Sequence, residues 1–317
     1  MKNILVIGAA GQIGSDLVPE LRKRYGTNNV VAADLNTEAN AEILRAGPFE
    51  KIDILDTDKI VEVMKKFKID TVYNLVALLS AKGEAMPNLS WKINIGGLVN
   101  LLDICVEYKS ALFTPSSIGA FGPGTPKIKT PQDTIQRPNT IYGVTKVSGE
   151  LLCDYYFKRF GLDTRGVRYP GIISNVTAPG GGTTDYAVHI YYDAIQKGHY
   201  TCFLKEGSQM DMMYMPDAVN AAIEVMEANP AKLKHRNAFN VTAMHFAPEN
   251  LYAEIKKHIP NFTMDYDVDP IRQAIADSWP DSLDDTCAKE EWGWKPTYNL
   301  NAMTKDMLNV LSKKLKK

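Results

Sequence analysis

The stretch Lys2-Asn3-Ile4-Leu5-Val6-Ile7-Gly8-Ala9-Ala10-Gly11-Gln12-Ile13-Gly14 is a short β-type apolar run delivered into three spaced glycines. A strand that turns at once into a helix needs them: one for the tight turn, one to let backbone approach a pyrophosphate, one to let the helix pack on the sheet. The anion then rests on the positive helix N-terminus. The spacing is G-x-x-G-x-x-G, one residue longer at the front than the G-x-G-x-x-G of other dinucleotide folds. These residues are read as strand, phosphate turn and helix, with Gly8, Gly11 and Gly14 at the turn.

Outward from this stretch, short β-type runs alternate with amphipathic ones. Strands are expected at 4–7, 30–33, 71–76, 111–115 and 164–169, and helices at 13–25, 58–67 and 94–108. That alternation predicts a Rossmann-type, doubly wound parallel sheet with helices on both faces, joined by right-handed crossovers. The nucleotide-binding domain is placed at 1–172. Beyond it the rhythm breaks at the loop signal Pro179-Gly180-Gly181-Gly182. Helices are expected at 185–197, 217–228 and 248–257, and a late strand at 237–241. Residues 173–317 are therefore read as a smaller α/β lobe, partly interleaved with the first domain. No internal repeat or low-complexity linker interrupts the chain.

With 317 residues, 45% of them hydrophobic, the chain can bury one large core and a smaller lobe. A net charge of −1 gives no electrostatic case for nucleic acid or an anionic membrane. Cys105, Cys153, Cys202 and Cys287 show no CxxC or Cys/His clustering, so reduced thiols and no metal site are expected. No uninterrupted apolar run reaches the roughly 18 residues that span a bilayer. The N-terminus reads as a first strand rather than a signal peptide, so a cytoplasmic location is expected. Lys313-Lys314-Leu315-Lys316-Lys317 is read as a solvated helix terminus.

Asp34 ends the second strand, twenty residues after Gly14. A carboxylate there accepts both adenosine-ribose hydroxyls and repels a 2′-phosphate. Leu35-Asn36-Thr37 brings no arginine to hold such a phosphate, so NAD is expected over NADP. Asp53 fits a contact to the adenine amine, although an isolated Asp is more often a solvated loop residue.

Tyr142 and Lys146 are four apart and face one side of a predicted helix. Val144, Val147, Leu151 and Tyr155 give that helix an apolar stripe, and Gly161 offers a C-terminal cap. A phenol is a poor base at neutral pH until a neighbouring cation favours its phenolate. Lys146 has two jobs open to it, tuning Tyr142 and hydrogen-bonding a nicotinamide ribose. A hydroxyl about 25 residues upstream would hold the substrate oxygen, and Ser116 or Ser117 supplies it.

Gly8-x-x-Gly11-x-x-Gly14, Asp34, Asp53, Asn74-Leu75-Val76-Ala77, Asn94, Ser116-Ser117, Tyr142-x-x-x-Lys146 and Tyr169-Pro170 together resemble the extended short-chain dehydrogenase/reductases, which include UDP-galactose 4-epimerase and other sugar-nucleotide enzymes. The resemblance implies that Leu75, Ala77, Asn94, Tyr169 and Pro170 line the cofactor. With Gln12, Ile13, Leu35 and Ile54 they complete the expected cofactor set, and Ser117 becomes the expected catalytic hydroxyl.

Sugar-nucleotide members carry an arginine for nucleotide phosphate in a stretch that corresponds here to Met210-Asp211-Met212-Met213-Tyr214-Met215-Pro216-Asp217. Met210 cannot neutralise a diphosphate. Pro115–Pro123, Pro170–Ser174, Gly181-Gly182-Thr183-Thr184-Asp185-Tyr186-Ala187, Ser278-Trp279-Pro280 and Trp292-Gly293-Trp294-Lys295-Pro296 are instead similar to the short-chain-type L-threonine 3-dehydrogenases. That resemblance implies oxidation of the threonine C3 hydroxyl to 2-amino-3-oxobutanoate, in threonine catabolism, with Tyr142 as base and no metal. Ser80, Thr183, Thr184 and Asp185 become candidates for the substrate's amino and carboxylate groups, beside Ser117 and Tyr142, with Trp279 closing the pocket. The Thr-Thr-Asp run equally suits a helix N-cap.

The resemblance further implies a homodimer built on helices near 94–108 and 142–160. Leu98, Leu101, Leu102, Val147 and Leu151 fit that interface, and equally fit burial against the chain's own sheet. Two other readings stand beside threonine oxidation: a nucleotide-sugar 4-epimerase or dehydratase using bound NAD, and an inactive NAD-binding protein. The stretch 80–89, with Gly83 and Pro87, reads as a loop able to close on substrate.

Overall fold

The computed structural model describes residues 1–38, 40–177, 180 and 182–315. Pro179 and Gly181 of the expected loop, and Lys316 and Lys317 of the basic end, lie outside the described residues. The first half runs β1 (Ile4–Ile7), α1 (Gln12–Tyr25), β2 (Val30–Asp34), α2 (Ala41–Arg45), β3 (Phe49–Lys51), α3 (Thr57–Phe67), β4 (Thr71–Asn74), α4 (Ser80–Ala85) and α5 (Pro87–Trp91). It continues with α6 (Gly97–Tyr108), β5 (Ala111–Phe113), β6 (Ser116–Ser117), α7 (Ile141–Phe160) and β7 (Thr164–Arg165).

Six of these strands form a sheet in the order β3-β2-β1-β4-β5-β7, every neighbouring pair parallel. The chain winds outward from β1 to one edge, then returns to the other side at β4. Ligand crevices open at the carboxyl ends of strands at such a reversal. All four β1 residues are buried, because both faces of the sheet are covered. Ile4 and Val6 pack with Leu17 and Leu21 of α1, whereas Leu5 and Ile7 join Ile60, Val63, Leu101 and Leu102 on the opposite face.

The second half contributes β8 (Val167–Tyr169), β9 (Gly171–Ile173), α8 (Tyr186–Gln196), β10 (His199–Cys202), β11 (Met210–Tyr214), α9 (Met215–Glu227), β12 (Phe239–Asn240) and β13 (Met244–Phe246). After them come α10 (Pro248–Lys256), β14 (Thr263–Tyr266), α11 (Pro270–Ser278), α12 (Thr286–Trp292) and α13 (Leu300–Leu315). β8 pairs with β6 on one side and β12 on the other, both parallel. β9 pairs with β11, which also takes β13 antiparallel. Strands and helices after residue 173 thus pack into the first half, and Ile223 and Val225 of α9 share the core beneath Ile4. A third core, built on Tyr186, Ile190, Tyr191, Met210, Met212 and Phe246, belongs to the smaller lobe.

The differences from expectation have local causes. The expected 164–169 strand is two, split at Gly166, where an added Cβ would stand 2.3 Å from the Thr114 carbonyl oxygen. The edge strand β3 is only three residues long and carries Glu50 and Lys51, so no alternation announces it. The 80–89 stretch is not a loop: it forms α4 and α5. A π-helical turn, Lys92–Gly96, joins α5 to α6. The continuous helix Pro87–Tyr108 is, by length and composition, apolar enough to cross a bilayer, which a search for uninterrupted apolar residues misses. Its residues Leu98, Leu101, Leu102 and Cys105 are packed against the sheet. At the basic end, Lys314 is not merely solvated: its Nζ donates to the Val176 carbonyl at 2.7 Å.

Candidate active site

The glycine turn explains itself atom by atom. Gly8 holds φ +87°, the left-handed region. A Cβ on Gly14 would lie 2.4 Å from the Gly8 carbonyl oxygen and 2.6 Å from Ala9 Cα, so only glycine lets α1 begin against the turn. Gly11 is different: the nearest atom to its Cβ position is the Gly8 oxygen at 3.3 Å. The protein crowds it far less than Gly14, which leaves this backbone the more approachable to a ligand.

A cleft of ≈ 260 Å³ opens above this turn. It is lined by Gly8, Gly11, Gln12, Ile13, Gly14, Leu75, Ala77, Tyr169 and Pro170 of the expected cofactor set. The same walls carry Ser117, Tyr142 and Lys146, and also Ser80, Thr183, Thr184, Asp185 and Trp279. Leu79, Pro115, Ile118, Gly171, Ile172 and Gly182 line it as well, and sequence reasoning gave none of the six a place in the site. They are small or apolar residues beside expected ones, without a chemical signature of their own.

Asp34, Leu35, Asp53, Ile54 and Asn94 are not in that wall. Asp34 lies at the carboxyl end of β2, where its two oxygens accept from Ala10 N and Asn36 N, both at 2.9 Å. The carboxylate thus braces the glycine turn and retains lone pairs for ribose hydroxyls. Leu35 beside it is 59% exposed. Asp53 caps its own turn by accepting from Leu55 N, and the Ile54 side chain is buried against Gly97 of α6. Any ligand contact at Ile54 is therefore through backbone. Asn94, in the π-helical turn, bonds both the N–H and the carbonyl of Leu78 and donates to Thr145 Oγ1 at 3.1 Å. It pins the loop after β4 to α7 and lines a smaller cavity adjoining the cleft beside Lys146.

The local structure also separates the two serines. Adjacent residues of a strand point to opposite sides. Ser117 Oγ accepts from Gly119 N at 3.1 Å. The Cβ position of Gly119 lies 3.4 Å from that oxygen and 3.1 Å from Tyr142 Cε1, so Ser117 and Tyr142 meet over a residue with no side chain. Ser116 also lines the cleft, but its hydroxyl donates to the buried Glu150 carboxylate. Glu150 pairs with Arg168 at 2.9 Å, each side chain under 9% exposed. The lysine lies one helical turn after Tyr142. Its Nζ donates to the Pro115 carbonyl at 2.7 Å and lies 5.4 Å from the Tyr142 ring centre. Tyr169 is a wall rather than an acid or base: burial pushes its phenol up, and its hydroxyl donates to the Ala218 carbonyl.

The candidate substrate residues face this group from the smaller lobe. Thr183–Asp185 form a 3-10 turn ahead of α8. Asp185 Oδ2 accepts from Gly182 N at 2.6 Å, so it closes the 3-10 turn from its third position and makes no side-chain cap to α8, in contrast to the N-cap reading, while still bordering the cleft. Thr183, Asp185, Ser80 and Trp279 are all buried. Among the described residues that line the cleft, Lys146 is the only cation. Met210, where an arginine would serve a nucleotide sugar, is buried in the smaller lobe's core.

The residues present fit a dinucleotide. Gln12 Nε2 borders the cleft, is buried, and has no hydrogen-bond partner among the described residues. The exposed Gly11 backbone and this orphaned donor both suit a group rich in acceptor oxygens.

Residues 4–242 match the NAD dependent epimerase/dehydratase family, and the chain belongs to that family, the extended short-chain dehydrogenase/reductases. Membership supports an NAD-dependent oxidoreductase. An uncharacterized epimerase/dehydratase of Staphylococcus aureus is 54% identical over 99% of this chain and 98% of its own. The solved L-threonine dehydrogenase of Clostridium difficile is 55% identical, with a TM-score of 0.97 over 99% of this chain and 98% of its own. A monomeric L-threonine 3-dehydrogenase from a metagenome is 44% identical, with a TM-score of 0.94 over 98% and 99%.

Proposed function

We propose that this protein oxidises the C3 hydroxyl of L-threonine to 2-amino-3-oxobutanoate, with NAD as the bound hydride acceptor. The observation that carries this reading is the composition of one cleft. It joins Ser117, Tyr142 and Lys146 to a small polar turn, Thr183–Asp185, and among the described residues that line it offers no cation other than Lys146 for the diphosphate of a nucleotide sugar. The similarity to L-threonine dehydrogenases over nearly the whole chain supports it.

Bound along the glycine turn, NAD supplies the hydride acceptor. Tyr142, as phenolate, takes the proton from the C3 hydroxyl. Lys146 places a positive charge beside that phenolate. Ser117 Oγ donates to the substrate oxygen and stabilises it as the carbonyl forms. Thr183 and Thr184 offer hydroxyls to the substrate carboxylate, Asp185 and Ser80 offer acceptors to its ammonium, and Trp279 covers the pocket against water. A cytoplasmic location and a role in threonine catabolism complete the proposal.

The assembly proposed is a homodimer. Leu98, Leu101 and Leu102 are buried in the chain's own core, so they are not interface residues. Val144, Leu151, Tyr155 and Phe160 of α7 are instead exposed, Leu151 by 64%. A monomeric relative shows that kinship alone does not fix the state. Sedimentation of Leu151→Lys beside the unaltered protein tests the face: a dimer that persists in the variant removes it from the interface.

A substrate panel with NAD and NADP tests the reaction. Net NADH from L-threonine and NAD supports it, whereas turnover of a UDP-sugar without net NADH overturns it. Tyr142→Phe is expected to lower kcat by about 10²- to 10⁴-fold with NAD binding retained. Unchanged turnover would remove Tyr142 as the base.

A further inference from the structure

Three side chains outside the cleft meet although no local motif joins them. Cys287 and Glu291 are four residues apart and share one face of α12. His235, in the segment leading to β12, approaches that face. One ring nitrogen of His235, the Cys287 sulfur and a Glu291 oxygen all lie within 4.8 Å of one another.

The surroundings hold two of these groups in place. His235 Nδ1 lies 2.5 Å from Glu291 Oε1, and Nε2 lies 3.2 Å from Asp133 Oδ2. Glu291 Oε2 accepts from Lys234 N at 2.6 Å and from His235 N at 2.9 Å. A histidine aimed by a carboxylate on its far nitrogen, and a carboxylate fixed by backbone donors on its far oxygen, are the outer contacts that orient metal ligands. The carboxylates of Glu291, Asp133, Asp284 and Glu290 all act on the Cys287 thiol, raising its pKa further beyond the effect of burial.

We propose that His235 Nδ1, Cys287 Sγ and Glu291 Oε1 bind one divalent cation of the zinc and cobalt class, with water in the fourth position. A mixed nitrogen, sulfur and oxygen set selects that class over magnesium or calcium. Metal–ligand bonds of about 2.0–2.3 Å place tetrahedral neighbours about 3.5 Å apart. A cation that replaces the proton between Nδ1 and Oε1 therefore spreads this 2.5 Å pair by about 1 Å, and the half-buried Cys287 sulfur closes on it. A simple clamp of His235 between two carboxylates would hold the same chain segments together, but it would give the sulfur no part.

The site also has a structural reach. Asp133 follows Gln132, whose side chain bonds the Ala238 carbonyl and Asn240 N. Gln132 also accepts from Arg168 at 2.7 Å through its own carbonyl. A bound ion would fasten α12 to the segment lying between the catalytic serine and the catalytic tyrosine.

The test uses the full chain, reduced and freed of metal by a chelator, then titrated with cobalt(II). The expected result is one ion per chain with a sulfur-to-cobalt charge-transfer band and the visible absorption of a tetrahedral site. Zinc should displace it, raise Tm and protect Cys287 from alkylation; the other three thiols are buried. Cys287→Ser should abolish the charge-transfer band. Asp133→Asn should weaken binding by about 10- to 100-fold, and His235→Gln by at least as much. Because serine replaces a half-buried thiol, Cys287→Ser should retain the metal-free Tm, which separates lost binding from lost folding. Absence of the band in the unaltered protein, or binding of unchanged strength in both Cys287→Ser and His235→Gln, overturns the site and leaves the clamp.

Discussion

Glu150→Gln is the most revealing single change to the framework beneath the site. The carboxylate accepts four hydrogen bonds: Arg168 Nη2 at 2.9 Å, Arg168 Nε at 3.1 Å, Gln136 Nε2 at 2.8 Å and the Ser116 hydroxyl. Among the described residues the Arg168 guanidinium otherwise meets the Gln132 carbonyl, Asn240 Oδ1 and the Phe121 ring. Glutamine keeps the shape but removes the charge, leaving a buried cation without a counterion. Breaking a buried pair from one side costs about 3–5 kcal/mol, a large share of the 5–15 kcal/mol (roughly) by which domains are stable. The effect reaches the site because Ser116 pairs with Arg168 and Ser117 with Tyr169 in the β6–β8 register, so kcat should fall as well. Urea unfolding followed by tryptophan fluorescence measures the stability loss. Adding Arg168→Met to Glu150→Gln removes the stranded charge, and the double variant should recover to within about 1 kcal/mol of the unaltered protein. A loss below about 1 kcal/mol in Glu150→Gln, or a double variant as unstable as both single changes combined, refutes the argument.

Gly14→Ala should destabilise the fold by about 1–3 kcal/mol, since backbone atoms at 2.4 and 2.6 Å must move. Gly11→Ala should keep its Tm yet lose NAD affinity by calorimetry; the reverse ranking contradicts the division of roles. Gly171 is overhung by Met212 and Thr184, whose Sδ and Cγ2 atoms would stand 2.4 and 2.6 Å from a Cβ there. Gly171→Ala should therefore raise KM for L-threonine more than KM for NAD, and equal rises would place the damage elsewhere. Burial pushes the Asp16 carboxyl up from 3.8 to about 6, opposed by the Ser174 hydroxyl. A carboxyl raised in the folded state lends most stability below its unfolded value, so stability should fall as pH rises between about 4 and 6, by at most about 3 kcal/mol. Asp16→Asn should flatten that limb in denaturant titrations from pH 4 to 7; an unchanged slope assigns the pH dependence to other groups.

What the sequence made legible is what short range decides. The glycine turn was readable because its constraints, a positive φ and contacts at the start of α1, lie within seven residues. Tyr142 and Lys146 were readable because helical spacing alone puts them on one face. The choice between Ser116 and Ser117 needed only the alternation of a strand, once resemblance had located it. Pairings set by distant segments were not readable. Glu150 and Arg168 meet through the β6–β8 register, and His235 meets Cys287 and Glu291 across more than fifty residues. Periodicity gave the stripe on α7 but not what covers it. Leu98 and Leu151 looked alike in sequence, yet one is buried in the core and the other exposed.

The side of the cleft that faces Ser117, Tyr142 and Lys146 is built on the Thr183–Asp185 turn, with β11 packed behind it. Ser117, Tyr142 and Lys146 stand on β6 and α7, which pack on the nucleotide sheet, while the turn follows β9 and the side chains of β11 are buried throughout. β11 therefore acts as packing, with Met212 pressed over Gly171 beside Thr184. An arginine at 210 would bring a charge into an apolar core that includes Tyr186 and Phe246. β11 thereby supports from behind the small polar turn that faces Ser117, Tyr142 and Lys146 across the cleft.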